Sequence, residues 1–149
     1  MSLVASFIIP TYNRADILAQ TLPAFLKQTV PADRYEIVVL DDGSTDGTEA
    51  VARSFSEPHL QYHRFANGGR SVARNRALAV ARGDLLVFVD DDAFVAEQFL
   101  EEHLRLHGTR SDLLATGPIV EVTAAPKSYA LSRWQGYHRN PFPDRKSVV

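Results

Sequence analysis

No cysteine occurs among the 149 residues, which excludes disulfides, thiol nucleophiles and Cys-ligated zinc. No apolar run approaches the roughly 20 residues needed to cross a bilayer. No basic region precedes the first apolar stretch, so a signal peptide is not expected. Excess charge of one sign is also missing. The formal net charge is −2, and the 16 basic residues are scattered apart from a mild cluster at Arg70, Arg74, Arg76 and Arg82. Nothing therefore marks the whole chain as a nucleic-acid binder, and no nucleic-acid partner is expected. G-x-G-x-x-G, G-x-x-x-x-G-K-[ST] and H-E-x-x-H are all absent, so neither the dinucleotide nor the P-loop fingerprint is met. Internal repeats and low-complexity segments are absent too. The expectation is a soluble cytoplasmic protein, with peripheral membrane contact left open.

What is present is ordinary globular material, 45% apolar and 23% charged, at a length that suggests one domain. Val4 to Ile9 is an apolar run ended by Pro10 and reads as a buried strand. Asn13 reads as the N-cap of a helix carrying Ile17, Leu18, Leu22, Phe25 and Leu26, closed by Pro31. A second strand spans Tyr35 to Leu40. Asp46 and Glu49 have capping-box spacing and open a helix to about Phe55. Leu60 to Arg64 reads as a third strand. After the Asn67-Gly68-Gly69 turn, a helix runs from about Arg70 to Ala81, with Gly83 as its C-cap. Leu85 to Val89 is a fourth strand, Phe99, Leu100 and Leu104 are helix-spaced, and Leu113 to Val122 is a fifth strand interrupted at Gly117-Pro118. Strands alternating with helices predict an α/β fold with an open, mainly parallel sheet.

In such a sheet, ligands bind beyond the carboxyl ends of the strands. Three strands here end in polar sequence: Pro10-Thr11-Tyr12-Asn13, Asp41-Asp42-Gly43-Ser44 and Asp90-Asp91-Asp92. Adjacent carboxylates repel unless a cation or hydrogen-bond donors compensate. In extended backbone Asp90 and Asp92 share one side, and two carboxylates suit a hard divalent cation completed by substrate phosphates. A helix N-terminal cluster is the plainer alternative. Asp42 offers an acceptor for a base or ribose, against a simple Asp-Gly turn; Asp41 is evenly balanced between the two. Tyr12 could stack on a base. The loop Asn67-Gly68-Gly69-Arg70 leads into a helix whose start could receive a phosphate through backbone N–H groups, with Arg70 adding charge. His103 and His107 are four apart on a helix and read as a solvated face rather than a metal pair. Trp134 and Tyr137 either face an acceptor or cover the core.

The ordered motifs resemble the family 2 glycosyltransferases, which have the GT-A fold. The matching pieces are Phe7-Ile8-Ile9-Pro10-Thr11-Tyr12-Asn13-Arg14, then Glu36 to Asp46, then Asn67-Gly68-Gly69 with Ala73-Arg74-Asn75, and Gly83-Asp84 leading to Asp90-Asp91-Asp92. They cover roughly residues 4 to 107. The resemblance implies a GT-A, Rossmann-like sheet and transfer of a sugar from a UDP-, GDP- or dTDP-sugar, usually with inversion. It implies that Pro10, Thr11, Tyr12 and Arg14 line the nucleotide pocket and that Asp42 accepts a hydrogen bond from the base. Gly69 and Arg70 lie near the nucleotide or its diphosphate. Asp91 reaches the ribose or sugar, and Asp90 and Asp92 (chiefly Asp92) hold Mn2+ or Mg2+. The acceptor, a glycan, lipid or small molecule, is not indicated.

The family's later motif, which supplies a catalytic base, has no match after Val122. Asp144 is the only carboxylate after Glu121, in the wrong context, so no catalytic base is assigned. The expected division is a nucleotide-sugar-binding core over 1–122, and a tail, lid or start of an acceptor-binding part over 123–149, with the fold incomplete at the C-terminus. A non-catalytic nucleotide-diphosphate-binding module is the competing reading. A sugar nucleotidyltransferase fits poorly, because it wants a glycine- and basic-rich loop directly after the first strand.

Overall fold

A computed structural model describes residues 3–108 and 113–115, together with the backbone of 137–139 and 147–148; the side chain of Arg70 is outside it. The strands are β1 (Ala5–Thr11), β2 (Tyr35–Asp41), β3 (Leu60–Arg64), β4 (Leu85–Phe88), β5 (Leu113–Ala115), β6 (Tyr137–Arg139) and β7 (Ser147–Val148). The helices are α1 (Ala15–Leu26), α2 (Thr48–Ser54), α3 (Arg70–Val80) and α4 (Phe99–His107). The sheet order is β3-β2-β1-β4-β7-β5-β6. All neighbours are parallel except β5 and β6. This is the expected α/β architecture, an open and mainly parallel sheet flanked by helices.

Residues alternate between two buried faces, which is why the strands read as unbroken apolar runs. Phe7, Ile9, Ile37, Val39 and Val87 pack with Leu18, Leu22 and Phe25 of α1, Ala52 of α2 and Leu100 of α4. Ile8, Val38, Leu40 and Leu86 meet Ala77 and Ala81 on the other face. Ala73, Ala77 and Ala81 are all buried at four-residue spacing, so α3 lies close against the sheet.

Several local readings change. β1 does not stop at Pro10 but continues to Thr11, paired with β2 throughout. The Ile8 carbonyl accepts Val89 N–H, so alternation aims the Pro10 nitrogen toward β4 as well. The β4 ladder ends at Ile8, so the missing N–H costs no hydrogen bond. Asn13 is not the N-cap of α1. It sits at φ 51, and Arg14 takes the cap position. The start of α1 is satisfied from the β2–α2 loop and the first residue of α2 instead: Ala15 N–H donates to Asp46 Oδ2 and Arg14 N–H to Thr48 Oγ1. Asp46 also accepts Thr48 N–H, but Glu49 does not reciprocate and pairs with Arg53 and Arg64. α1 ends at Leu26, ahead of Pro31. The Gln28 amide donates to Ala24 O and accepts Leu100 N–H, tying the end of α1 to the start of α4.

Gly83 is not the C-cap of α3; Ala81 is. A Cβ on Gly83 would lie 2.2 Å from the carbonyl carbon of Ala5. The glycine is required by close approach to β1, and its N–H donates to Ser6 Oγ. Beside it, the fully buried Glu36 accepts from the Ser6 hydroxyl, the Arg82 N–H and guanidinium, and the Gln61 amide. Burial raises the Glu36 pKa, but these donors outweigh it and hold the carboxyl below its usual value. The fifth strand is described over Leu113–Ala115; Gly117-Pro118 lies outside the described residues.

Candidate functional site

At the carboxyl edge of β1, β2 and β4, a cleft of about 460 Å³ opens between the strand ends and α3. It is lined by Pro10, Thr11, Tyr12 and Arg14 after β1, Asp42 after β2, Asn67, Gly69, Ala73 and Arg74 from the loop and α3, and Asp90, Asp91 and Asp92 after β4. Of the residues expected to line the donor pocket or hold the cation, only the Arg70 side chain lies outside the described residues. Arg74 appeared in the sequence only within a mild basic cluster and a family motif. Its helix position, one turn beyond Arg70, was the available signal.

The three aspartates separate by environment. The backbone turns after Val89, with Ala93 N–H donating to the Asp90 carbonyl. Asp90 and Asp92 side chains stand 66% and 56% exposed. Asp91 is only 8% exposed and its carboxylate accepts the Thr11 hydroxyl at 2.7 Å. Burial pushes the Asp91 carboxyl above its usual pKa; the Thr11 bond and the Arg14 charge oppose that, while Asp92 and Asp90 add to it. Thr21 of α1 donates to the Asp91 carbonyl at 2.7 Å, fixing the turn from below. Asp92 faces Arg14 Nη1 at 3.3 Å, and Asp90 faces Arg74 Nη2 at 3.3 Å.

Asp41 and Asp42 also divide. Asp41 is fully buried and accepts the Ser44 N–H and the Tyr62 hydroxyl, a structural role. Burial and then the Asp41 carboxylate raise the Tyr62 pKa. Asp42 accepts Gly68 N–H at 2.8 Å and Gly69 N–H at 2.7 Å, one on each carboxylate oxygen. Arg76 stands 3.7 Å from Asp42, bonds Ala66 O and covers the Phe65 ring. The anion at the Gly68-Gly69 N–H groups is thus Asp42 itself. These two loop N–H groups are therefore satisfied by an internal carboxylate and are not open to a phosphate; the expectation concerned the start of α3, which follows them. Gly69 holds φ 83, which admits glycine readily, and nothing lies within 4 Å of where its Cβ would be.

Tyr12 is 48% exposed at the cleft rim, a large apolar face without cover. The His103–His107 reading is corrected. His103 is fully buried, in edge contact with Phe99 at 4.5 Å, and burial drives its pKa down to about 3. It is a packed core histidine and not part of a solvated face. Among the described residues, no group of three or more His, Cys, Asp or Glu could cage a metal alone. Two exposed carboxylates, Asp90 and Asp92, remain as hard oxygen donors. That number fits a cation that takes its other ligands from phosphates and water. Trp134 and the Tyr137 side chain lie outside the described residues, as does Asp144.

The family model for glycosyl transferase family 2 matches residues 6–147. The chain belongs to this family. This family 2 chain is 36% identical to validoxylamine A glucosyltransferase of Streptomyces hygroscopicus subsp. jinggangensis over 148 residues, covering 97% of the chain and 32% of the relative. It thus spans about a third of the length of that relative. Among solved structures it is similar to S. aureus TarS 1–349 in complex with UDP-GlcNAc, with TM-score 0.74 and 30% identity. That match covers 84% of the family 2 chain and 37% of TarS. It is also similar to the mannosyltransferase PcManGT of Pyrobaculum calidifontis in complex with GDP-Man and Mn2+, with TM-score 0.70, 30% identity, and coverage of 77% and 35%. The GT-A architecture expected from the motifs is the one observed. No helix among the described residues is long and apolar enough to cross a membrane.

Proposed function

We propose that the cleft binds a nucleoside-diphosphate sugar together with Mn2+ or Mg2+, as the donor site of an inverting, hexosyl-transferring glycosyltransferase. One observation carries this reading: two strand ends distant in sequence, together with α3, place an exposed aromatic, two exposed carboxylates and two guanidinium groups around one cleft. Its volume suits a small-molecule ligand, for which about 300–1,000 Å³ is usual. The UDP-GlcNAc, GDP-Man and Mn2+ named for the two structural neighbours support the ligand class.

In this reading Tyr12 stacks on the base, with Pro10 and Thr11 forming the adjoining wall. Asp42 retains lone pairs beyond the two given to the loop and accepts a base N–H. Asp91 accepts from a ribose or sugar hydroxyl. Asp90 and Asp92 would hold the cation, which supplies stabilisation of charge on the departing diphosphate. Arg70 opens α3, and the resemblance assigns it to the nucleotide or its diphosphate. Inversion needs a base to deprotonate the acceptor hydroxyl; none among the described residues is assigned. In the same reading, 1–122 is the nucleotide-sugar-binding core and 123–149 is a tail, a lid or the start of an acceptor-binding part. A cytoplasmic location, with peripheral membrane contact and a glycan, lipid or small-molecule acceptor, belongs to the same proposal.

The test is thermal melting with UDP, GDP or dTDP, each with and without Mn2+. Ligand at ~100 times its Kd stabilises by about 2.7 kcal/mol, which is roughly 5–10 °C for a chain of this size. Asp92→Ala is expected to melt like wild type alone, because Asp92 is exposed, and to lose the metal-dependent shift. No metal-dependent shift with any of the three nucleotides would refute the donor-site reading. Release of nucleoside diphosphate from a sugar nucleotide then separates an enzyme from a non-catalytic binding module.

A further inference from the structure

Arg14 and Arg74 approach the aspartate turn from opposite walls of the cleft, one at the start of α1 and the other within α3. Each takes one exposed carboxylate, Asp92 and Asp90 respectively, at 3.3 Å. These are the two carboxylates available to a cation, and the buried Asp91 is given neither guanidinium as a partner within 4 Å. Among the described cleft-lining side chains, Arg14 and Arg74 are the only cationic ones. The Gly68 and Gly69 N–H groups are already taken by Asp42, so those two donors are unavailable to a diphosphate.

We propose that Arg14 and Arg74 are exchangeable counter-ions that couple cation binding to diphosphate binding. Without ligands they neutralise Asp92 and Asp90. When these carboxylates turn to a divalent cation, both guanidinium groups are freed and take the diphosphate oxygens. The exchange is easy in this geometry, since half-exposed ion pairs contribute little to stability. Guanidinium groups suit the new partner, since they pair bidentately with phosphate. Coupling of this kind is reciprocal: the diphosphate must tighten the cation by the same factor that the cation tightens the diphosphate. The inference rests on the donor-site reading above and assigns it two positioning residues.

The experiment titrates Mn2+ alone, read from the free-ion EPR signal, into the wild-type chain and into Arg14→Gln, Arg74→Gln and the matching lysine variants. In parallel, UDP, GDP and dTDP are titrated at saturating Mn2+. Removing either competing cation should tighten Mn2+ alone by about threefold, the scale of one exposed ion pair. The same glutamine variants should bind the best nucleoside diphosphate about tenfold more weakly, the loss of one charge-assisted contact. Lysine should restore part of that loss. Unchanged or weaker Mn2+ binding in both glutamine variants overturns the proposal, as does unchanged nucleotide affinity. A wild-type chain that binds no nucleotide with Mn2+ overturns the donor-site reading itself, a result distinct from either. Both arginine side chains are only part-buried, 36% and 41% exposed, so melting temperatures close to wild type are expected and serve as the folding control.

Discussion

Thr11→Val removes one hydroxyl and nearly no volume, at a position 4% exposed, beneath a buried carboxylate. The lost bond is the 2.7 Å donation from Thr11 Oγ1 to Asp91 Oδ2. The Asp91 pKa lies above its ordinary value, so ionising it in the folded state costs stability. That cost is absent below the unfolded pKa and grows as pH rises through the folded pKa. The Thr11 bond reduces it, because the hydroxyl favours the ionised form. The substitution should therefore cost about 1.5–3 kcal/mol at neutral pH, the worth of a hydrogen bond to a charged group. At a pH acid enough to protonate Asp91, the cost should shrink to about 0.5–1.5 kcal/mol, that of a neutral pair. Urea denaturation of both proteins at pH 7 and at about pH 3.5 measures the difference, since every other titration is shared. Near neutrality the melting temperature should fall by roughly 3–12 °C. An equal or greater loss in acid, or none at pH 7, would show that Thr11 does not support an ionised Asp91.

Gly83→Ala should destabilise by more than about 3 kcal/mol, beyond ordinary overpacking, because the added Cβ meets β1 backbone and not a mobile side chain; a melt within 2 °C of wild type would contradict this. Glu36→Gln should cost about 2–4 kcal/mol at pH 7 by removing a buried charge from its donors. The Glu36 pKa is depressed, so its stabilisation is present above the unfolded pKa and lost as pH falls through the folded one. The penalty should accordingly narrow in acid, and a pH-independent penalty would count against the ionised assignment. Asp92→Ala and the arginine variants, described above, test the cleft itself.

The element order was legible because parallel strands buried on both faces must be written as continuous apolar runs. Val4 to Ile9, Tyr35 to Leu40 and Leu85 to Val89 could hardly be read otherwise. Ligand clefts form at strand carboxyl ends, so the polar endings at Tyr12, Asp42 and Asp90-Asp91-Asp92 are legible as one site from the sequence. Caps were less legible. Asn13 and Gly83 each carried a local signal that the structure uses otherwise, because their partners come from other segments: Ser44 and Thr45 for Asn13, Ala5 and Ser6 for Gly83. His103 looked solvated because its spacing says nothing about which helix face meets the core.

The sequence by itself determined the fold class, the order of strands and helices, and the strand endings that line the cleft. Only the tertiary structure decided which of those polar groups is free. Asp42 reaches a loop 26 residues away, Arg74 an aspartate 16 away and Thr11 another 80 away. Periodicity and capping signals act within one or two turns of chain. Contacts at such separations depend instead on sheet register and helix docking, which set whether a carboxylate meets a backbone N–H, a guanidinium or the open cleft.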